Sequence, residues 1–296
     1  MTTKQTTSPA TDSNSPLDYD VVVVGGGASG LSAAVFLARF GFETAVFARG
    51  ASAIKQCAHL ENYLGFPSGI SPERFLALGR THAREEGAAL QKELVERVEQ
   101  VEGGADEERF EVGTADGTEV TTSRVIAATA YDGDPFEPLS VDAIEADPFV
   151  GTDDGRTPLE GFYACGWMTS ETAHQAVINA GHGARTALAV IRDDLRDRYW
   201  DAVADRYVDW VVDENRYGGD GWAEDIDEWF DREMLPTDAD EATVADARAD
   251  LKAEFLDRCL PEDERQHRER RGQRLLLEHL DDELIHEYAA ELETDI

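Results

Sequence analysis

Two glycine-marked stretches constrain this chain more than any other feature. Val21–Val24 is a run of four β-branched residues, followed at once by Gly25-Gly26-Gly27-Ala28-Ser29-Gly30. An unbroken apolar run suits a strand buried on both faces of a parallel sheet. The glycines permit a tight turn and close backbone approach, and a helix then begins where its free N–H groups and dipole favour an anion such as a pyrophosphate. The second stretch, Gly161-Phe162-Tyr163-Ala164-Cys165-Gly166-Trp167, runs into His174-Gln175-Ala176. A glycine loop alone specifies little beyond a strand-to-helix turn; a second glycine segment on the far side of the domain points to a dinucleotide site.

Around these anchors the pattern predicts an α/β domain with a Rossmann-like parallel sheet, helices and a small β-hairpin layer. Tyr19–Val24 is the first strand, Leu31–Phe40 a helix stopped by Gly41, and Glu43–Phe47 the second strand, ending at Ala48-Arg49-Gly50. Pro72 behind Ser71, with Gly87 past the last turn, predicts a helix over 72–87. Leu90–Val101 reads as a strand or strand pair. Phe110–Val112 and Glu119–Thr121 flank Asp116-Gly117 as a hairpin, and Arg124–Thr129 reads as another buried strand. Residues 131–160, rich in Pro, Asp and Gly, read as a loop. Phe162–Cys165 is expected as the last strand and Thr172–Arg192 as the last long helix.

Past Asp193 glycine thins out and helical spacing takes over to Leu292, with a break near Tyr217–Gly221. Trp200, Trp210, Trp222 and Trp229 fall early in this segment and read as the apolar face of packed helices. Leu275, Leu276, Leu277, Leu280, Leu284 and Ile285 form a stripe suited to docking on the first domain or a second copy of the chain, so a homodimer is a possible partner state. The division expected is a disordered tail over 1–17, a nucleotide-binding domain over 18–192, and an acidic, α-helical C-terminal unit over 193–296.

Charge narrows the class further. With 42% hydrophobic residues the chain can bury a core, yet its net charge is −35, and only four of its 27 basic residues are lysine: Lys4, Lys55, Lys92 and Lys252. Carboxylates spread along the whole length, rather than clustered, read as a solvated surface suited to concentrated salt, where screening removes self-repulsion. Nucleic acid and anionic membranes are poor partners at this charge. No run is long and apolar enough to span a bilayer. Residues 1–16, rich in Thr, Ser and Pro, resemble a tail rather than a secretory leader. Cys57, Cys165 and Cys259 lie far apart with no CxxC, which suggests reduced thiols in a cytoplasmic protein and neither a zinc pair nor a redox dithiol. No other metal-ligand spacing stands out.

The chain resembles the low-molecular-weight thioredoxin reductase family of flavoproteins over roughly residues 18–192. The matching parts are Asp20 to Leu31, the stretch His59-Leu60-Glu61-Asn62-Tyr63-Leu64-Gly65-Phe66-Pro67, and Gly161 to Gly166 with Gln175 to Gly183. The resemblance implies FAD as cofactor. It implies that Gly25, Gly27, Ser29 and Gly30 cradle the pyrophosphate, that Asn62 lies by the flavin ring, and that Val95 or its neighbour meets the adenine. Gly166 with Trp167 would meet the ribityl-pyrophosphate, and Gln175-Ala176 the pyrimidine edge of the ring.

The departures are as informative. Such relatives carry an NAD(P)H-binding domain, with its dithiol, between the two FAD segments. Only Tyr131–Glu160 occupies that place here, too little for a nucleotide domain of about 100 residues. The acidic residue expected at the end of the second strand is Ala48, followed by Arg49, a pattern that suits a 2′-phosphate. The acidic residue expected after Gly166 is Trp167, which cannot accept hydrogen bonds as a carboxylate does. Weak candidates for chemistry are Cys57, which could approach the flavin, and His59 and His174, which could move a proton.

The expectation is an FAD-dependent oxidoreductase with one flavin domain and an external electron donor, either a small molecule such as diffusing NAD(P)H or a protein. The alternative is a degenerate module that binds FAD or NADP and serves as a non-catalytic interaction or regulatory protein. The charge reading has its own consequence. The melting temperature should rise steeply as KCl is increased from low to molar concentration; a salt-indifferent value would overturn the reading.

Overall fold

The computed structural model describes residues 18–49, 52–102, 108–130, 132–139, 154–217 and 220–294. The tail expected over 1–17, and most of the loop expected over 131–160, lie outside them. The chain divides into two compact units. One takes residues up to Gln56 together with Glu86–Thr186; the other takes Cys57–Glu85 and Ala187–Ile296. The single boundary expected near residue 193 therefore differs from the division found, in which 57–85 groups with the C-terminal helices.

The first unit holds a seven-stranded sheet. β1 (Tyr19–Val24) runs parallel to β2 (Thr44–Phe47), and β2 to β3 (Ala89–Gln91). On its other side β1 runs parallel to β6 (Glu119–Ala127). β4 (Val95–Glu102) and β5 (Glu108–Thr114) complete an antiparallel meander onto β6, and the short β7 (Phe162–Ala164) lies parallel to β6. Val21–Val24 are all buried, as a strand covered on both faces requires.

One sequence expectation is corrected here. The hairpin arm at 119–121 and the strand at 124–129 are one strand. The first half of β6 pairs antiparallel with β5 through Thr122, and from Val125 the strand takes β7 in place of β5. Leu90–Val101, expected as a strand or strand pair, is a pair, β3 and β4, separated at Lys92–Leu94.

α1 (Ala28–Phe40) starts three residues earlier than expected and ends at Gly41, whose φ of 104° closes the cap. The last long helix of the expected domain, α3 (Ala176–Arg198), starts and ends later than expected and continues from the first unit into the second. The core of the first unit gathers Phe110, Phe136 and Phe162 with Val98, Val112 and Met168. Phe136 comes from the stretch read as loop, yet it is fully buried with its ring 5.4 Å from that of Phe162.

In the second unit, α2 (Pro72–Glu85) is preceded by a loop closed by the Leu60–Ile70 bridge. The C-terminal helices are α4 (Asp201–Arg206), α5 (Glu214–Tyr217), α6 (Asp220–Glu233), α7 (Glu241–Asp257), α8 (Glu262–Leu277) and α9 (Asp282–Thr294). Their core is Val203, Phe230, Met234, Ala247 and Leu251, flanked by Trp200 and Trp229. Trp200 donates from Nε1 to the Met234 carbonyl at 2.9 Å. Trp210 departs from the packed-face expectation, being 53% exposed, and Leu276, Leu277, Leu280 and Leu284 are exposed as well. No described helix is long and apolar enough to cross a membrane.

If Phe136 holds the 132–139 segment onto the sheet, Phe136→Ala should cost about 3–5 kcal/mol of stability in denaturant titration. A cost near that of a surface change would refute the packing.

Candidate functional site

Phe47, Val24, Ala127 and Ala164 stand in register across the sheet, so β2, β1, β6 and β7 all end along one edge. Open α/β sheets place ligands outside this carboxyl edge, and both glycine segments leave from it.

The glycines of the first segment divide by what forces them. Gly25 has φ +119°, and a Cβ there would sit 2.2 Å from the Ala128 carbonyl oxygen. One on Gly30 would sit 1.9 Å from the Gly25 carbonyl oxygen, and one on Gly26 2.3 Å from the Ala48 Cβ. These three are required by the fold. Gly27 is different: its φ is −83°, and a Cβ would meet only Ser52 Oγ, at 3.2 Å. Protein packing does not dictate glycine there. Gly27 is the N-cap of α1 and offers no side-chain acceptor to the helix's first N–H groups.

The second segment is held by hydrogen bonds. Gly166, at φ +65°, donates its N–H to His182 Nδ1 at 3.0 Å, and its carbonyl accepts from Thr169 Oγ1 at 2.7 Å. Because Nδ1 accepts, the proton of the neutral ring is on Nε2. His182 is buried on α3, and burial first, then the nearby Arg185 cation, holds its pKa below the usual 6.5, with Glu171 pulling the other way. The next residue on α3, Gly183, lets that helix close onto α1, since a Cβ there would lie 2.0 Å from the Ser29 carbonyl oxygen. The Gly181-His182-Gly183 run was legible in the sequence as helix and as part of the resembling stretch Gln175 to Gly183; the role of His182 needs the contact with Gly166.

Electrostatics sets these two helices apart. In a chain of net charge −35, most of the other described α-helices have Asp or Glu in the opening turn: Glu73, Asp201, Glu214, Glu241, Glu262 and Asp282. The first turns of α1 and α3 have none. Carboxylates stabilise helix N-termini, and α1 and α3 do without that stabilisation in their first turns.

The remaining expected residues fall as follows. Ser29 is buried in the first turn of α1, with its side chain directed at Cys165 and Gly166. Cys165 is buried, and burial pushes its thiol up to about 12 despite the Ser29 hydrogen bond; it is a packing residue. Ala48 donates its N–H to the Gln91 carbonyl at 3.0 Å, and Arg49 is exposed just past the end of β2. Gln91 is thus the residue beside Ala48. Val95 is a core residue paired with Thr114 on β5. Trp167 does not stand free: its ring lies 4.3 Å from that of His174 at 59°. Gln175 is exposed, and Ala176, which opens α3, is buried.

Cys57, His59 and Asn62 belong to the second unit. Cys57 is an exposed free thiol and Asn62 is exposed in the Leu60–Ile70 loop. His59 Nε2 lies 3.0 Å from the Ser68 carbonyl, which can only accept, so the ring donates and closes the loop. Tyr63 and Phe66 pack on Phe75 of α2 at 4.8 and 6.3 Å, giving the aromatic positions of this motif a structural purpose. Among the described residues no group of His, Cys, Asp and Glu could hold a metal ion.

The residues present fit a dinucleotide. Gly27 leaves a cradle that a side chain would fill, and two acid-free helix starts face the strand ends.

Comparison with known proteins agrees. Residues 19–129 match the pyridine nucleotide-disulphide oxidoreductase family. A thioredoxin reductase of Aquifex aeolicus is 31% identical over 115 residues, which are 38% of this chain and 33% of that protein. An alkyl hydroperoxide reductase component of Xanthomonas campestris pv. phaseoli is 31% identical over 112 residues, 38% of this chain and 21% of that one. The chain thus spans about a third or less of these relatives. Among solved structures, a thioredoxin reductase from Gloeobacter violaceus superposes with a TM-score of 0.55 at 16% identity, covering 67% of this chain and 100% of that one. An atypical thioredoxin reductase from Desulfovibrio vulgaris Hildenborough gives 0.51 at 19%, covering 58% and 96%. These likenesses establish the fold.

The His182 contact carries a pH dependence of definite sign. An unfolded histidine takes up its proton near 6.5; His182 does so only at lower pH, when Nδ1 ceases to accept from Gly166. The stability it supplies is complete above 6.5 and is lost as pH falls through the folded value. Between pH 7 and 5 the wild type should therefore lose stability more steeply than His182→Gln, by at most about 1.4 kcal/mol per pH unit. Parallel slopes would refute the assignment.

Proposed function

Starting from the match of residues 19–129 to the pyridine nucleotide-disulphide oxidoreductase family, we propose that this chain is an FAD-dependent oxidoreductase with a single flavin domain and an external electron donor. The observation that carries the reading is the pair of helix starts, α1 and α3, that lack carboxylates in an otherwise acidic chain and flank the end of β1. Gly27 and the first N–H groups of α1 would hold the pyrophosphate, with Gly25 and Gly30 fixing the turn and Ser29 buttressing Gly166. Gly166, locked by His182 and Thr169, and the start of α3 at Gln175-Ala176 would take the flavin half.

When bound, the flavin would supply the redox chemistry. The protein's part is to bind it, orient it and control access. The 296 residues contain no CxxC, and Tyr131–Glu160 is too short a connection for a nicotinamide domain. Electrons would therefore come from a diffusing donor, NAD(P)H or another small molecule, or from a protein partner, and thioredoxin reduction through a fused dithiol is not the proposed activity. Cys165, buried with its thiol up to about 12, takes no part. We place the protein in the cytoplasm of a cell rich in salt, from its charge and its reduced thiols.

A second reading rests on Ala48 and Arg49. Without a carboxylate at the end of β2, and with a cation beside it, the cradle suits a 2′-phosphorylated adenosine, as in a nucleotide-binding module without catalysis. The visible spectrum of protein purified in molar salt separates the two. Stoichiometric flavin, lost in Gly27→Leu with the fold retained, is the expected result. A colourless protein that refuses added FAD would sink the oxidoreductase reading and favour the module.

A further inference from the structure

The helices α8 and α9 lie beyond residues 19–129, the part matched to a family, and α9 is almost bare. Of its residues up to Glu293, all but Ile285 are exposed. A helix of 13 residues is marginal in water on its own, because most helical stability comes from packing of an apolar face. α9 has such a face. Leu284, Tyr288 and Leu292 recur every four residues along it, and they are 51–61% exposed. Leu277, at the end of α8, is exposed as well. α8 and the turn after it are held to α2 by the polar contacts of Arg271 with Glu85 and His279 with Thr81, which leave these apolar side chains uncovered.

Charge says what covers this face. Residues 265–274 contain five of the chain's 27 basic residues and a single acid, Glu269, in a chain of net charge −35. Arg265, Arg268 and Arg271 are paired with Glu262, Glu264 and Glu85. Arg270 has no ion pair among the described residues, and Arg274 reaches Glu278 only at 3.9 Å. Spaced i, i+4 and i+7, Arg270, Arg274 and Leu277 share one face of α8. α9 carries the opposite sign, with five carboxylates and no Lys or Arg. Glu283, Glu287 and Glu291 each precede a residue of the apolar stripe, so they run beside it along the helix. None of the three is ion-paired among the described residues. A basic face with a leucine on one helix thus complements an acidic, leucine-bearing face on the next, yet no ion pair joins the two helices among the described residues. A foreign partner would have to offer both signs in matching order. A second copy does so by construction, since in a two-fold pair every contact occurs twice.

We propose that the chain forms a two-fold dimer through these helices, α8 of each copy lying against α9 of the other, with the arginines on the glutamates and Leu277 on the apolar stripe. The inference is independent of the flavin reading. Sedimentation equilibrium of the full chain, at the lowest KCl concentration that keeps it folded, tests it with two charge-reversed variants, Arg270→Glu/Arg274→Glu and Glu287→Arg/Glu291→Arg. All four positions are exposed, so the circular dichroism of both should match wild type. Wild type should sediment at twice the chain mass. Each variant alone sets like charges against each other at both contacts and should raise the dimer dissociation constant about a hundredfold. Mixed in equal amounts, the two variants regain opposite charges at both contacts and should pair with each other as tightly as wild type. Leu284→Asp, placed in the stripe, should give monomer without touching an ion pair. A monomeric wild type, variants that dimerise unchanged, or a mixture that stays monomeric would each overturn the proposal.

Discussion

The first unit depends on how closely its backbones approach at the end of β1. Gly25 abuts the carbonyl of Ala128, Gly30 abuts Gly25, and Gly183 abuts Ser29. At each of these places the obstacle is main chain, which has no rotamer by which to yield. The turn, the crossing of α3 over α1 and the seating of β6 are thus one packing problem with glycine as its solution. The close approach has a consequence for binding, because it brings the free N–H ends of two helices to the same edge of the sheet.

Much of this was legible in the residues themselves. Four valines and a spaced set of glycines have few structural uses; β1 stands where it was expected, and α1 ends where expected but starts three residues early. What escaped the sequence are contacts between distant segments. His182 and Asn179 sit in a stretch that reads as helix and as part of the resemblance, and only the fold reveals that one binds Gly166 and the other faces it. Val95, named through resemblance for a backbone contact by it or its neighbour, places its side chain in the core, which the residue pattern of β4 alone did not show. Phe136 was lost in a stretch whose prolines and aspartates suggested only loop; a single aromatic side chain fastens it to the sheet.

The second unit shows the opposite balance. Its helices were legible from spacing, yet that spacing overstated what they bury. Val203, Phe230, Met234, Ala247 and Leu251 form a closed core, whereas α8 has no buried residue and the leucines from Leu276 to Leu284 face outward. Periodicity reports that a helix has an apolar side; it is silent on whether that side has a partner. Connections inside this unit are polar instead: Thr81 with His279 at 2.9 Å, and Glu85 with Arg271. Exposed pairs of this kind add little stability apiece, so this part of the unit rests on local helix energetics more than on packing.

Charge ties the two units to one argument. Asp or Glu stands in the first turn of most described α-helices but not of α1 and α3, in line with the stabilisation that a carboxylate gives to an N-terminal dipole. Leaving it out of two helices sacrifices that gain twice, in a chain where acidic residues are the commonest surface choice. Random omission would scatter the exceptions. Both instead fall beside the same strand ends, where Gly27 leaves space and Gly166 is locked in place. A resident carboxylate would compete with a phosphate for the same N–H groups and repel it at close range. The absence of acid from these two turns leaves their first N–H groups without the resident carboxylate that the other described helices supply.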